Sequence, residues 1–226
     1  MLINILFPLL ISFFLVDTIK IITLEPNNFI AIKDTINHES INKNIRDLHL
    51  IKNDVMYIYI DSNGGSIDAG EHLINQFNYY KSLNRSIQCI ANKAYSMAFH
   101  IFQSCDIRYI TQSSKLMQHQ MSIVISRQNF ENILNYMEML KNMSIKLETI
   151  TAKRLKLNIN DYHNKIINDW WLYGDDIILN NAADNYTVVG CSESLYNTKK
   201  SITKEEFDLS TFEIKSVTHK IDSCPL

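Results

Sequence analysis

Apolar positions along this chain fall into two kinds of run. Val55–Ile60 (VMYIYI) is apolar at every position, the pattern of a strand buried on both faces, as in a parallel sheet covered by helices. Shorter β-rich runs occur at Lys20–Leu24, Phe29–Lys33, Ser86–Ala91, Ile107–Thr111, Leu116–Gln118 and Tyr186–Val189. Between them, apolar residues recur every three to four positions, which is the helical period. Ile41, Ile45 and Leu48 mark a helix over His38–Leu50, and Leu73, Ile74, Phe77 and Tyr80 one over Ile67–Leu83. A short apolar helix is expected from Ser96 to Ser104. The longest periodic stretch is Gln128–Leu155, with Phe130, Ile133, Leu134, Met137, Leu140, Leu147 and Ile150 on its stripe. Asp161–Ile167 is a further amphipathic segment, and Asp175–Ala183 reads as a helix opened by acidic residues. Strands alternating with helices predict an α/β domain with right-handed crossovers.

The two ends of the chain read differently. Leu2–Val16 carries no charge and stops at Asp17. It is too short for a membrane-spanning helix, which needs about 20 apolar residues. Its length suits the core of a secretory signal, although no Lys or Arg precedes it and no small-residue cleavage site follows. Residues 1–20 are therefore read as a signal peptide, or else a signal anchor, with a buried N-terminal helix as the plain alternative. Residues 21–190 form the α/β domain. The tail, 191–226, has weak patterning and one helix-start candidate, Thr203 with Glu206 before Phe207.

Composition narrows the class. With 46% hydrophobic and 20% charged residues the chain is globular. A formal charge of −2 and the absence of a basic stripe argue against a nucleic-acid partner. Four cysteines (Cys89, Cys105, Cys191, Cys224) form no CxxC pair, so a zinc ribbon is not indicated. A bridge from Cys191 to Cys224 would staple the tail, and four free thiols are equally open. Only five glycines occur, and Gly64, Gly65 and Gly70 sit within seven residues.

Four segments carry candidate chemistry. Asp61-Ser62-Asn63-Gly64-Gly65-Ser66 joins a buried strand to a helix, and paired glycines let an N–H approach an anion. An ordinary strand-to-helix turn has the same look. Ser96 opens a helix, where its hydroxyl lies near free N–H groups able to hold an oxyanion. It equally suits a simple helix cap. His119 ends an apolar strand, a place for a general base or for a structural histidine. Asp169, before Trp170 and Trp171, is a carboxylate that aromatics would hold half-buried and that would orient an imidazole. The chain order Ser, His, Asp differs from the orders of chymotrypsin, subtilisin and the α/β-hydrolases.

Taken together these segments resemble the proteolytic subunit of Clp protease (ClpP). YIDSNGGSIDAG at Tyr59–Gly70 is similar to that family's YIxSPGGxxxAG stretch. AYSMAFHIFQSCDIRYITQSSKLMQHQ at Ala94–Gln120 is similar to its nucleophile helix, the following strand and the segment with the base. DWWLYGDDIILNNAAD at Asp169–Asp184 aligns without gaps on its DRxxSAxEAxxYGLVD segment, agreeing mainly at the first and last Asp. Ser96 and His119 are 23 residues apart, and His119 and Asp169 are 50 apart, close to the family's spacing.

The resemblance implies a ClpP/crotonase-like spiral of β-β-α units with a long handle-type helix over Gln128–Leu155. It implies Ser96 as nucleophile, His119 as base and Asp169 as orienter, with the N–H groups of Gly65 and Met97 as the oxyanion hole. The reaction implied is serine endopeptidase cleavage of peptides or unfolded chains, in a homo-oligomer that forms rings. No metal or organic cofactor is implied. The departures are Asn63 for a Pro, Tyr95 and Ala98 beside the nucleophile, Met121 for another Pro, and MSIVISRQ at Met121–Gln128 for a Gly-rich substrate-pairing strand. Ile123–Ile125 still favour a strand there. Lys115 is available to a Ser–Lys dyad of the kind found in related membrane-associated proteases. An exported copy would be periplasmic, membrane-associated or in a secretory pathway, and would not meet the cytosolic ATP-driven unfoldases that feed ClpP. Without export the protein is cytoplasmic. Two other functions stay open: a catalytically degenerate ClpP-like scaffold or peptide binder, and a crotonase-like acyl-CoA enzyme.

Overall fold

The computed structural model describes residues 19–123, 129–196, 201–208, 213–220 and 223–226. The leader lies outside them. The main sheet has seven strands: β1 (Lys20–Leu24), β2 (Phe29–Ile36), β3 (Val55–Gly65), β4 (Ser86–Tyr95), β5 (Ile107–Gln118), β6 (Trp170–Tyr173) and β7 (Asn185–Cys191). Their order is β1-β7-β5-β4-β3-β2, with every neighbour parallel, and β6 pairs antiparallel with β5. The helices are α1 (His38–Leu50), α2 (Ile67–Ser82), α3 (Met97–Gln103), α4 (Phe130–Arg154), α5 (Ile159–Ile166), α6 (Asp175–Leu179) and α7 (Glu193–Tyr196). This mixed α/β architecture is consistent with the expected ClpP/crotonase-like fold.

The all-apolar reading of Val55–Ile60 has its cause in two cores. Met56, Ile58 and Ile60 point into the larger core with Ile30, Ile32, Ile87, Cys89 and Ala91 from the neighbouring strands. The helices α1, α2 and α3 add Ile41, Leu48, Leu73, Phe77, Phe99 and Phe102 to it. Each such side chain contributes about 1.5–3 kcal/mol when fully buried. On the opposite face, Tyr59, Ile90 and Tyr109 are covered by Ile22 and Leu24 of β1 and Leu195 of α7.

Three register shifts lie side by side across the central strands, at Asp34/Thr35, Ile60/Asp61 and Ala91/Lys93. They explain why the polar Gln112–Lys115 stretch, expected to separate two strands, lies inside one continuous β5. Buried Ser114 fills the irregularity, its hydroxyl donating to Ala91 O (2.6 Å) and accepting from the Thr111 N–H (2.7 Å). Likewise β3 runs past Ile60 through residues open to a turn reading, and β4 extends past Ala91, the expected strand end, to Tyr95.

The tail departs from expectation. Ser201–Asp208 (β8) pairs antiparallel with Glu213–Lys220 (β9), so Thr203 and Glu206 lie in a strand and begin no helix. Cys191 is bonded to Cys224, the staple left open above, and Cys89 is bonded to Cys105, a pair not foreseen. The handle-type helix expected over Gln128–Leu155 is α4, and only part of its stripe is covered. Its buried residues are Leu147, Glu148, Thr151 and Ala152, whereas Phe130, Leu134, Met137 and Ile150 of the expected stripe are exposed.

Candidate active site

The site begins where β3 runs past the register shift. Ser62 Oγ donates to Asp34 O (2.5 Å) and accepts from the Gly64 N–H (3.1 Å), which pins the Gly-Gly pair. Gly64 has φ +92°, and a Cβ there would lie 2.5 Å from Tyr95 O, 2.8 Å from Ser96 Cβ and 3.0 Å from Met97 N. Glycine is thus required for β3 to touch the turn bearing Ser96. At Gly65 (φ +148°) an added Cβ would lie 2.2 Å from Ile36 O. Ile36 O accepts from the Ser66 N–H (2.8 Å). In a parallel ladder this leaves the N–H of Gly65, Ile36's register partner, pointing away from β2.

Ser96 stands between β4 and α3 at φ 53°, ψ −121°, a costly conformation for a residue with a side chain. Its N–H donates to Met117 O (3.0 Å) and its C=O accepts from Phe99 N (2.9 Å), so the turn is held from both sides. Its side chain makes no capping bond, which removes the simple-cap reading. Among the described residues Ser96 Oγ has no hydrogen-bond partner.

His119 follows the last residue of β5 and is half-buried. It lines one small cavity together with Ser96, Met97, Gln118 and Met121. Asp169 immediately precedes β6, a strand the sequence pattern did not reveal. The β5–β6 ladder pairs Gln118 with Trp170, so the next positions on the two strands are His119 and Asp169. Facing positions of this kind hold Cβ atoms about 4.5–5.5 Å apart where a ladder continues. Asp169 is exposed, not half-buried, and lines no part of the cavity. No hydrogen bond joins Ser96, His119 and Asp169 among the described residues. Tyr95 packs edge-on against Trp171, ring centroids 5.0 Å apart. Lys115 is exposed and outside the cavity lining. Met121–Ile123 are not in a strand, and residues 124–128 of the expected substrate-pairing segment lie outside the described residues.

Sequence reasoning missed the polar layer beneath this site. His100 Nδ1 is 2.9 Å from Thr151 Oγ1, and Gln118 Nε2 is 2.7 Å from His100 Nε2. Burial, with a smaller contribution from the charge of His119, pushes the His100 pKa down to about 4. The imidazole is therefore neutral and joins α3, β5 and α4. The signal was present in the i, i+4 spacing of Ser96 and His100, but a histidine inside an apolar helix does not announce its partners. Glu148, Ser144 and Leu147 of α4 also line the cavity, with Ile67 and Ile166. Asp184, the last Asp of the aligned segment, has a structural role. It pairs with buried Arg108 at 2.6 Å and with Arg154 at 3.3 Å, tying the start of β7 to β5 and α4.

The geometry thus defines an α/β protein with a strained serine and a histidine at the ends of adjacent parallel strands. The Clp protease family model matches residues 17–180, and the chain belongs to that family. No curated protein matches the chain.

Proposed function

We propose that this Clp protease family member is a serine endopeptidase acting through Ser96, His119 and Asp169. Ser96 Oγ attacks the peptide carbonyl while His119 takes its proton. The carbonyl oxygen becomes an oxyanion that the N–H groups of Gly65 and Met97 receive. His119 returns the proton to the leaving amine, and water then releases the acyl group from Ser96 by the same route in reverse. Asp169 fixes the imidazole tautomer. The observation that carries this reading is the strained, uncapped Ser96 sharing a cavity with His119. Strain held at one residue by surrounding structure is a mark of functional turns.

An activity-based fluorophosphonate probe tests it. Wild-type protein is labelled and Ser96→Ala is not. Asp169→Asn stays folded by circular dichroism and loses turnover by about 10⁴-fold, the scale for an imidazole held in the wrong tautomer. A folded, assembled wild type that takes no label makes the scaffold reading the better one.

Two further parts of this reading concern context. The exposed apolar residues of α4 support assembly with further copies of the chain, and a ring is the family's form of it. The apolar leader and the two disulfides support an oxidising compartment outside the reach of a cytosolic unfoldase.

A further inference from the structure

One face of the sheet stays open beside the site. Past the register shifts, Ser62, Ala94, Leu116 and Leu172 are buried, so the residues alternating with them face the other way. The ladder sets those outward residues in rows. Tyr95, Met117 and Trp171 are register partners across β4, β5 and β6. Lys93, Lys115 and Tyr173 are partners one row further from the site. At the other end the same alternation runs on to His119 and Asp169.

The row nearer the site is aromatic. Tyr95 adjoins Ser96 in the chain and packs edge-on against Trp171, yet Trp171 is still 56% exposed. An indole braced by a tyrosine offers a flat apolar surface on which another ring can stack. The second row is basic. Lys93 and Lys115 stand side by side on neighbouring strands, an arrangement that like charges disfavour. Asp61 pairs with Lys93 at 3.6 Å, whereas among the described residues no acidic group pairs with Lys115. Lys115 is exposed, and so is Tyr173 beside it. This row therefore has one cation more than it has carboxylates.

Spacing ties both rows to the site. Successive rows along a strand are about 6.5–7 Å apart, which is also the advance of an extended peptide over two residues. A substrate held at Ser96 and His119 and running along β5 meets the aromatic row two residues from the cleaved bond. It meets the basic row four residues from it.

We propose that this open face recognises substrate: Tyr95 and Trp171 select an aromatic side chain two residues from the cleaved bond, and Lys115 an acidic one four residues from it. The proposal rests on Ser96 being the nucleophile. A second copy of the chain is the rival occupant of the face.

Fluorogenic peptides carrying the aromatic-x-acidic motif on either side of the cleaved bond are assayed with the full-length protein. For one of the two placements, phenylalanine is favoured over alanine by about tenfold in kcat/KM, mainly through KM. In the same placement aspartate is favoured over asparagine by about threefold at low salt. Trp171→Ala removes the first preference and Lys115→Gln the second; both side chains are exposed, and circular dichroism confirms that the variants fold. The same peptides are titrated into Ser96→Ala by fluorescence anisotropy, a readout that needs no turnover, and show the same two preferences. Absence of both preferences in both placements overturns the proposal, as do preferences that Trp171→Ala and Lys115→Gln leave unchanged. A shift in sedimentation of Trp171→Ala with peptide selection unaltered gives the face to a second copy instead. If Ser96 takes no fluorophosphonate, the peptidase reading fails separately, while the binding preferences still decide whether the face selects this motif.

Discussion

Acidification should weaken the fold through His100. Its ring bridges Thr151 and Gln118, and its pKa is held at about 4 against an ordinary 6.5. The unfolded chain therefore binds this proton first, and stability falls as pH drops from above 6.5 toward 4. Linkage gives a loss of about 2 kcal/mol between roughly pH 8 and pH 5, rising to about 3 kcal/mol below both values. The comparison is wild type against His100→Gln, by urea denaturation at the two pH values. Gln removes the titration, so its stability curve should be flatter by about 2 kcal/mol, even though losing the bonds to Thr151 and Gln118 lowers it throughout. The difference between the two slopes removes the contributions of the other histidines. Equal slopes would refute the reasoning, and so would a ring resonance of His100 that titrates near 6.5 by NMR.

Two more outcomes follow from backbone geometry and covalent links. Gly64→Ala places a methyl 2.5 Å from Tyr95 O and 2.8 Å from Ser96 Cβ at a positive φ. It should cost about 1–3 kcal/mol in thermal denaturation and abolish labelling of Ser96, and a fully reactive variant would show that β3 does not set the Ser96 turn. Cys191→Ser frees the tail from β7. Limited proteolysis should then remove the tail while leaving a folded core, because among the described residues the larger core draws on none beyond Tyr186. Uniform digestion of the whole chain would mean that the tail holds the domain together.

The sequence made the framework legible because periodicity reports burial. His38–Leu50 and Lys20–Leu24 have the bounds their patterns indicate. Strand ends were harder to read. Residues 61–65 are polar or glycine, and of 92–95 only Ala94 enters the core, yet both segments continue β3 and β4 beyond the irregular register, where no apolar run marks them. Trp170–Tyr173 gave no alternating signal, because its register with β5 comes from a partner more than 50 residues earlier. That strand brings Asp169 level with His119, so local pattern alone had no means of joining them. The stripe of α4 shows the converse limit. Apolar spacing says that a face wants cover, not that this chain supplies it.

The row of register shifts has a consequence for how the protein tolerates change. In an unbroken sheet a one-residue insertion inverts which side chains meet the core. Here Asp34/Thr35, Ile60/Asp61 and Ala91/Lys93 form a seam between the strand segments that build the core and those that present Gly65, Ser96 and His119. An odd residue gained or lost at the seam is absorbed as another bulge. The working rim can therefore be lengthened, retuned or grafted on a different evolutionary clock from the barrier of packed isoleucines beneath it.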